Sequence, residues 1–152
     1  QTLLGRLRGL DRRAGAAIIL PMAREFETAA RRAYERLNER DLEGFIAVLH
    51  PDVEFESLIA EAEGKTFRGP EGAREWWDQM EEALGGIRFE PVRFEDLGGG
   101  AGIIEVRAAG EAGGVHVEQR MWQASMVRDG LPWRWRPCRT RSEALEQVER
   151  WR

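Results

Sequence analysis

The chain is short of the residues that most often carry chemistry. Its 152 residues include one cysteine (Cys138), one lysine (Lys65), one tyrosine (Tyr34) and two histidines (His50 and His116). A lone cysteine excludes an internal disulfide framework and any multi-cysteine metal site. It has no evident histidine partner, so an inert buried thiol is the expected state rather than a nucleophile. His116 has no second histidine or cysteine at ligand spacing, which argues against zinc, and His50, before Pro51 in a connection, reads as structural. No metal or cofactor is called for. Long apolar runs are also missing. Ala14 to Leu20 spans seven residues, against the ~20 of a membrane-spanning helix, so no membrane partner is expected. Basic residues are outnumbered, 23 to 27, for a net charge of −4. Nucleic-acid-binding domains are normally basic, so that partner is not expected either. With so little cysteine, a reducing cytoplasm is the expected compartment.

What is present describes a globular domain. The composition is 42% apolar and 33% charged, which separates it from disordered chains. The length suits one domain able to bury about two-thirds of its unfolded surface. The charge is uneven. Residues 1–24 carry five arginines and one acid, whereas residues 25–152 hold 18 basic and 26 acidic residues. Residues 1–23 are therefore read as an N-terminal extension outside the core fold, and 24–152 as the domain. A short targeting segment or an added helix lying on the domain are the alternatives.

Periodicity gives the order of elements. Phe26, Ala30, Ala33 and Leu37 recur at helical spacing over 24–38. Asp41 is a good cap for a second helix, Leu42 to Leu49, carrying Phe45, Ile46 and Leu49. His50-Pro51-Asp52 breaks it. Val53 to Leu58 alternates as a strand, and a turn from Gly64 to Gly69 holds a short strand around Phe67. Pro70 opens a third helix reaching Leu84, with Ala73, Trp76, Trp77, Met80 and Leu84 on one side. Four strands follow, Ile87 to Leu97, Ile103 to Ala109, Val115 to Arg128 and Trp133 to Arg136, joined by glycine turns and the Asp129-Gly130 hairpin signal. The first alternates Ile87, Phe89 and Pro91 against Val92 and Phe94. Ser142 is placed to cap a last helix, Glu143 to Arg150. The fold class is α+β: a curved antiparallel sheet wrapped over about three N-terminal helices, with a short C-terminal helix.

Several segments together carry a family likeness. They are Tyr34-Glu-Arg-Leu-Asn38, Asp41-Leu-Glu-Gly44 and His50-Pro-Asp-Val53, then Phe67-Arg-Gly-Pro-Glu-Gly72 running into Trp76-Trp77. Val117-Glu118-Gln-Arg120 leads to Val127-Arg-Asp-Gly130, and Trp133-Arg134-Trp135 leads to Glu143-Ala-Leu145. In this order and spacing residues 25–148 resemble the SnoaL-like branch of the nuclear-transport-factor-2-like (cystatin-like) superfamily. The resemblance implies a cone-shaped half-barrel with an internal pocket, often a homodimer through the outer sheet face. It does not imply one activity, because the fold hosts isomerases, cyclases, dehydratases, epoxide hydrolases and binders.

Residue by residue, the enzymatic roles thin out. The ketosteroid-isomerase members use a helix tyrosine, a base after the first strand and a second acid on a later strand. In an ungapped register those positions hold Ala33, Ser57 and Ala124, with Tyr34 one residue from the tyrosine position. The epoxide-hydrolase members need an Asp–Arg–Asp set. Arg120 matches the arginine, but Trp122 and Thr140 stand where the acids would. Polyketide-cyclase members need an acid or base on the pocket wall, and Glu118, His116 and Tyr34 are the candidates. Glu118 and Arg120 share a strand face, either lining the pocket or facing solvent or a partner. Val115, Val117, Met121 and Val127 make the opposite face apolar, so alternation leaves the choice open. Such a strand suits a pocket on one face and a dimer contact on the other.

The six tryptophans are core material first. Trp76, Trp77, Trp122, Trp133 and Trp135, with Phe55, Ser57 and Tyr34, outline an aromatic-walled pocket, to which Glu118 and Arg120 are added as candidate polar contacts. The expected function is binding of a small apolar or aromatic molecule by a homodimer, with no catalysis assumed. The alternatives are a cyclase, isomerase or dehydratase acting on a hydrophobic substrate, and a protein-interaction module using the outer sheet face.

Overall fold

The computed structural model describes residues 25–57 and 65–152. The expected N-terminal extension, Leu58 and Gly64 lie outside the described residues. Helix α1 (25–38) turns Phe26, Ala29, Ala30, Ala33, Tyr34 and Leu37 inward, an i, i+3, i+4 stripe that must be covered by another layer. It ends at a left-handed turn on Arg40 (φ 63°). The Asp41 carboxylate then accepts the Gly44 N–H at 2.9 Å, capping helix α2 (Leu42–Ala47). Strand β1 (Glu54–Glu56) pairs antiparallel with β2 (Thr66–Arg68). Pro70 sits in the first turn of helix α3 (Gly69–Ala83), where its missing N–H costs nothing.

Strands β3 (Gly85–Gly98), β4 (Ala101–Ala112), β5 (Val115–Arg128) and β6 (Leu131–Cys138) form the meander. Helix α4 (Arg141–Trp151) closes the chain. Its cap is Thr140, not Ser142. Thr140 has extended backbone (φ −130°, ψ 159°) and its Oγ1 accepts the Glu143 N–H at 3.1 Å. Ser142 is already within the helix.

The sheet order is β2-β1-β6-β5-β4-β3. The sheet is mixed rather than wholly antiparallel, because β1 and β6 run parallel. A parallel pair needs a long connection, and the whole β2–β5 segment supplies it. Three register shifts along β3 bend the sheet, since each bulge adds local twist. The shift between Pro91 and Arg93 also breaks the simple alternation. Val92 is left outside the pairing and half exposed, while Phe94 returns to the helix side and packs on the core there.

Two cores result. The larger lies between the concave face and α1–α3 and includes Phe26, Phe45, Phe55, Phe67, Trp76, Phe89 and Met121. The smaller lies on the convex face, where Ala101, Ile103 and Ala124 meet Ala144 and Val148 of α4. Asn38, at the end of α1, fastens the first layer. Its Nδ2 donates to the Phe89 carbonyl at 2.8 Å and its Oδ1 accepts the Phe89 N–H at 2.9 Å, completing a β3 edge as another strand would. Among the described residues no helix is long and apolar enough to cross a membrane.

Candidate functional site

Curvature leaves a cavity of about 50 Å³ between α1, α2, α3 and the sheet, room for a few water molecules. Helix α1 presents Ala33 and Tyr34, α2 Phe45 and α3 Trp76, while the sheet adds Phe89, Ile104, Pro132 and Trp135. The rings form one cluster. Phe45 lies 5.8 Å from Trp76 and 6.3 Å from Trp135, and Tyr34 lies 6.2 Å from Phe89. Phe55 is one ring removed from the cavity, stacked on Trp135 at 4.3 Å and edge-on to Trp76 at 5.6 Å. These are the offset and edge arrangements that aromatic quadrupoles favour.

The polar groups at this cavity are few. Tyr34, Gln123 and Ser125 line it, and among the described residues no carboxylate, imidazole, thiol or amine does. Burial pushes the Tyr34 phenol well above the ordinary tyrosine range, with a smaller opposing effect from its hydrogen bond to Gln123. The phenol is therefore neutral at any physiological pH. Gln123 is only 8% exposed, and its Oε1 has no hydrogen-bond partner among the described residues.

Ser57, where an isomerase base would sit, is buried with its Oγ 3.8 Å from Met80 Sδ. It does not line the cavity. Trp77 stands beside Trp76 on α3 but turns away, under the Arg40 guanidinium at 5.1 Å.

Strand β5 settles the question that alternation left open. Met121, Gln123 and Ser125 face the helices, so Glu118, Arg120, Trp122 and Ala124 face outward. Glu118, Arg120 and Trp122 therefore do not line this cavity, and His116 does not either. The charged side chains join an ion-pair ladder across β3–β5. Arg107 reaches Glu90 and, at 3.4 Å, Glu118; His116 lies 3.6 Å from Glu118; Arg120 lies 3.3 Å from Glu105. The side chains of His116, Glu118 and Arg120 are 65%, 47% and 68% exposed. Higher on the same face, Arg141 of α4 holds the Glu95 carboxyl below its ordinary range by a direct hydrogen bond. Trp122 packs beside the α4 core instead. The deciding contact is Ala124 under α4, which sets the parity of the strand.

Trp133 and Trp135 do not share a face. A bulge between Met126 and Val127 leaves Trp133 without a partner on β5, and the Arg128 and Arg134 guanidiniums lie over its ring at 4.8 and 4.6 Å. His50 is buried and fully engaged: its Nδ1 accepts the Asp52 N–H at 3.0 Å, and its Nε2 faces Asp129 at 3.4 Å. Cys138 is buried beside the α4 core. Among the described residues no group of three or more His, Cys, Asp or Glu is arranged to hold a metal ion.

Sequence reasoning missed Gln123 and Ser125, and in the apolar wall Phe45, Phe89, Ile104 and Pro132. A signal was present for the first two. Two uncharged polar residues alternate with Met121 on a strand whose other face also reads apolar, a pattern that fits a polar spot in a buried wall.

The chain has recognisable relatives. A family model described as a SnoaL-like domain matches residues 30–135. No curated protein matches. Among solved structures, TerC co-crystallised with polyporic acid is similar at 23% identity and a TM-score of 0.67, over 82% of this chain and 98% of that one. A Mycobacterium tuberculosis protein in complex with estradiol-17beta-hemisuccinate is similar at 17% identity and 0.67, over 78% and 95%. An epoxide hydrolase of the LEH-like type from M. tuberculosis is similar at 20% identity and 0.63, over 84% and 87%.

Proposed function

The chain belongs to the SnoaL-like domain family, and from that premise we propose that it binds a small planar molecule in the cavity between Tyr34, Trp76 and Trp135. One observation carries the reading: an aromatic-walled cavity that encloses a buried amide whose oxygen has no partner among the described residues. Apolar walls with a few placed polar groups are the usual construction of a small-molecule site. The bound molecules in the two similar structures, polyporic acid and estradiol-17beta-hemisuccinate, support the same reading. At about 50 Å³ the cavity is well below the ~150 Å³ that holds a benzene, so the surrounding rings must yield to admit even a single-ring guest. Catalysis is not part of the proposal. Acid–base chemistry needs a titratable group within reach of the guest, and of the three candidates only Tyr34 lines the cavity. An enzyme of the cyclase or isomerase type would have to use that neutral phenol as a hydrogen-bond donor.

The test is titration with monocyclic aromatics, followed by calorimetry and by amide shifts in NMR. Saturable binding with shifts at Ala33, Gln123 and Trp135 is expected. Shifts confined to the outer face, or no saturation, would overturn the reading.

Self-association through the outer sheet face belongs to the same proposal. Its rows of alternating charge, with α4 covering only the apolar part, offer a surface that a second copy can complement. Light scattering tests it, and a clean monomer removes it. A cytoplasmic location also stays with the proposal, resting on the single cysteine; cell fractionation tests that.

A further inference from the structure

Building on the proposal that a planar guest occupies this cavity, we infer that the ligand is uncharged and presents a hydrogen-bond donor to Gln123, as a phenol does. Gln123 is more than nine-tenths buried and lines the cavity. Its amide lies beside Tyr34 in the same wall. Its Oε1 is left without a partner among the described residues. A buried acceptor in this state carries the full loss of its hydration, so a guest that donates to it is favoured over one of equal shape that cannot.

Charge is selected against by the same wall. Among the described residues no arginine or lysine lines the cavity to receive an anion, and no carboxylate lines it to receive an ammonium group. A charged guest would lose its water and gain no counter-charge. The walls add the rest of the preference. Trp76, Phe89 and Trp135 offer ring faces and edges, which reward a flat guest.

The experiment compares phenol, anisole, toluene and benzoate as probes of the full chain, by calorimetry at neutral pH. Phenol donates, anisole only accepts, toluene does neither and benzoate is charged. Phenol is expected to bind about tenfold more tightly than anisole or toluene, the usual yield of one added hydrogen bond, and benzoate not to bind measurably. In Gln123→Leu, phenol should fall to the level of toluene while toluene holds or improves. Equal binding of phenol and toluene by the unaltered chain would overturn the donor preference and leave the planar-guest proposal standing. Tighter binding of anisole than phenol would overturn it in the opposite sense, by assigning a donor to that wall. If none of the four saturates, both readings fall. The comparison on the unaltered chain needs no variant, so it decides the matter even if Gln123→Leu does not fold.

Discussion

Replacing Gly102 with alanine drives a methyl group into a ring. Gly102 lies on β4, paired with Ser125 of β5, and faces the helices. A Cβ built there would sit 2.2, 2.4 and 2.6 Å from Cζ, Cε2 and Cε1 of Phe26. Carbon atoms in contact want about 3.5–4.0 Å, so the shortfall exceeds an ångström. Phe26 is fully buried in the first turn of α1, and its ring cannot fold aside as a lysine tip would. Either α1 lifts or β4 bends. Overpacking of this kind costs about 1–3 kcal/mol, while relief of glycine's chain entropy returns roughly 0.5–1 kcal/mol. A net loss of about 1–2 kcal/mol corresponds to a fall in Tm of roughly 2–8 °C. Phe26→Leu shortens the opposing side chain and should rescue part of that loss. The double variant should be more stable than the sum of the two singles, with a coupling of about 0.5–3 kcal/mol. Urea unfolding followed by tryptophan fluorescence measures all four corners. A neutral Gly102→Ala, or effects that simply add, would mean that α1 does not rest on β4 in this way.

Three other perturbations have defined outcomes. Asn38→Ala leaves the Phe89 N–H and carbonyl without their partners, so a loss of about 1–3 kcal/mol is expected in urea unfolding; an unchanged midpoint would discount the clamp. Glu118→Gln and Arg120→Gln should leave the affinity for any cavity ligand unaltered and change stability by at most ~1 kcal/mol, since both face outward; a loss of binding in either would return β5 to the opposite register. Tyr34 is the single tyrosine, so phenolate absorbance near 295 nm reports it alone. No phenolate should form in the folded chain as pH passes ~10. With the folded-state pKa raised, its contribution to stability is fully present below ~10 and is lost as pH rises toward the folded value. Tyr34→Phe should flatten that alkaline decline by one proton, and an ordinary midpoint near 10 in the native protein would refute the burial argument.

The element order was legible because each element carries its own local signal. The Phe26-to-Leu37 stripe, the Asp41 cap, Pro70 at a helix start and glycine at each hairpin all act within a few residues. The aromatic content of the pocket was legible in part: Tyr34, Trp76 and Trp135 converge, while Trp77, Trp122 and Trp133 do not. Each failure has a local cause that spacing does not reveal. Trp133 sits at a bulge. Trp77 lies beyond the inward arc of α3. Trp122 belongs to the face under α4.

Composition and periodicity alone established an α+β domain, the order of its helices and strands, and the scarcity of residues suited to acid–base or metal chemistry. The tertiary structure decided which face of β5 meets the helices, and with it whether Glu118 and Arg120 or Gln123 and Ser125 line the cavity. The reason is physical. Alternation along a strand sets parity but not direction, and β5 is apolar toward α1–α3 on one face and toward α4 on the other. Only the contact of Ala124 with α4, made by residues distant in the chain, selects between them.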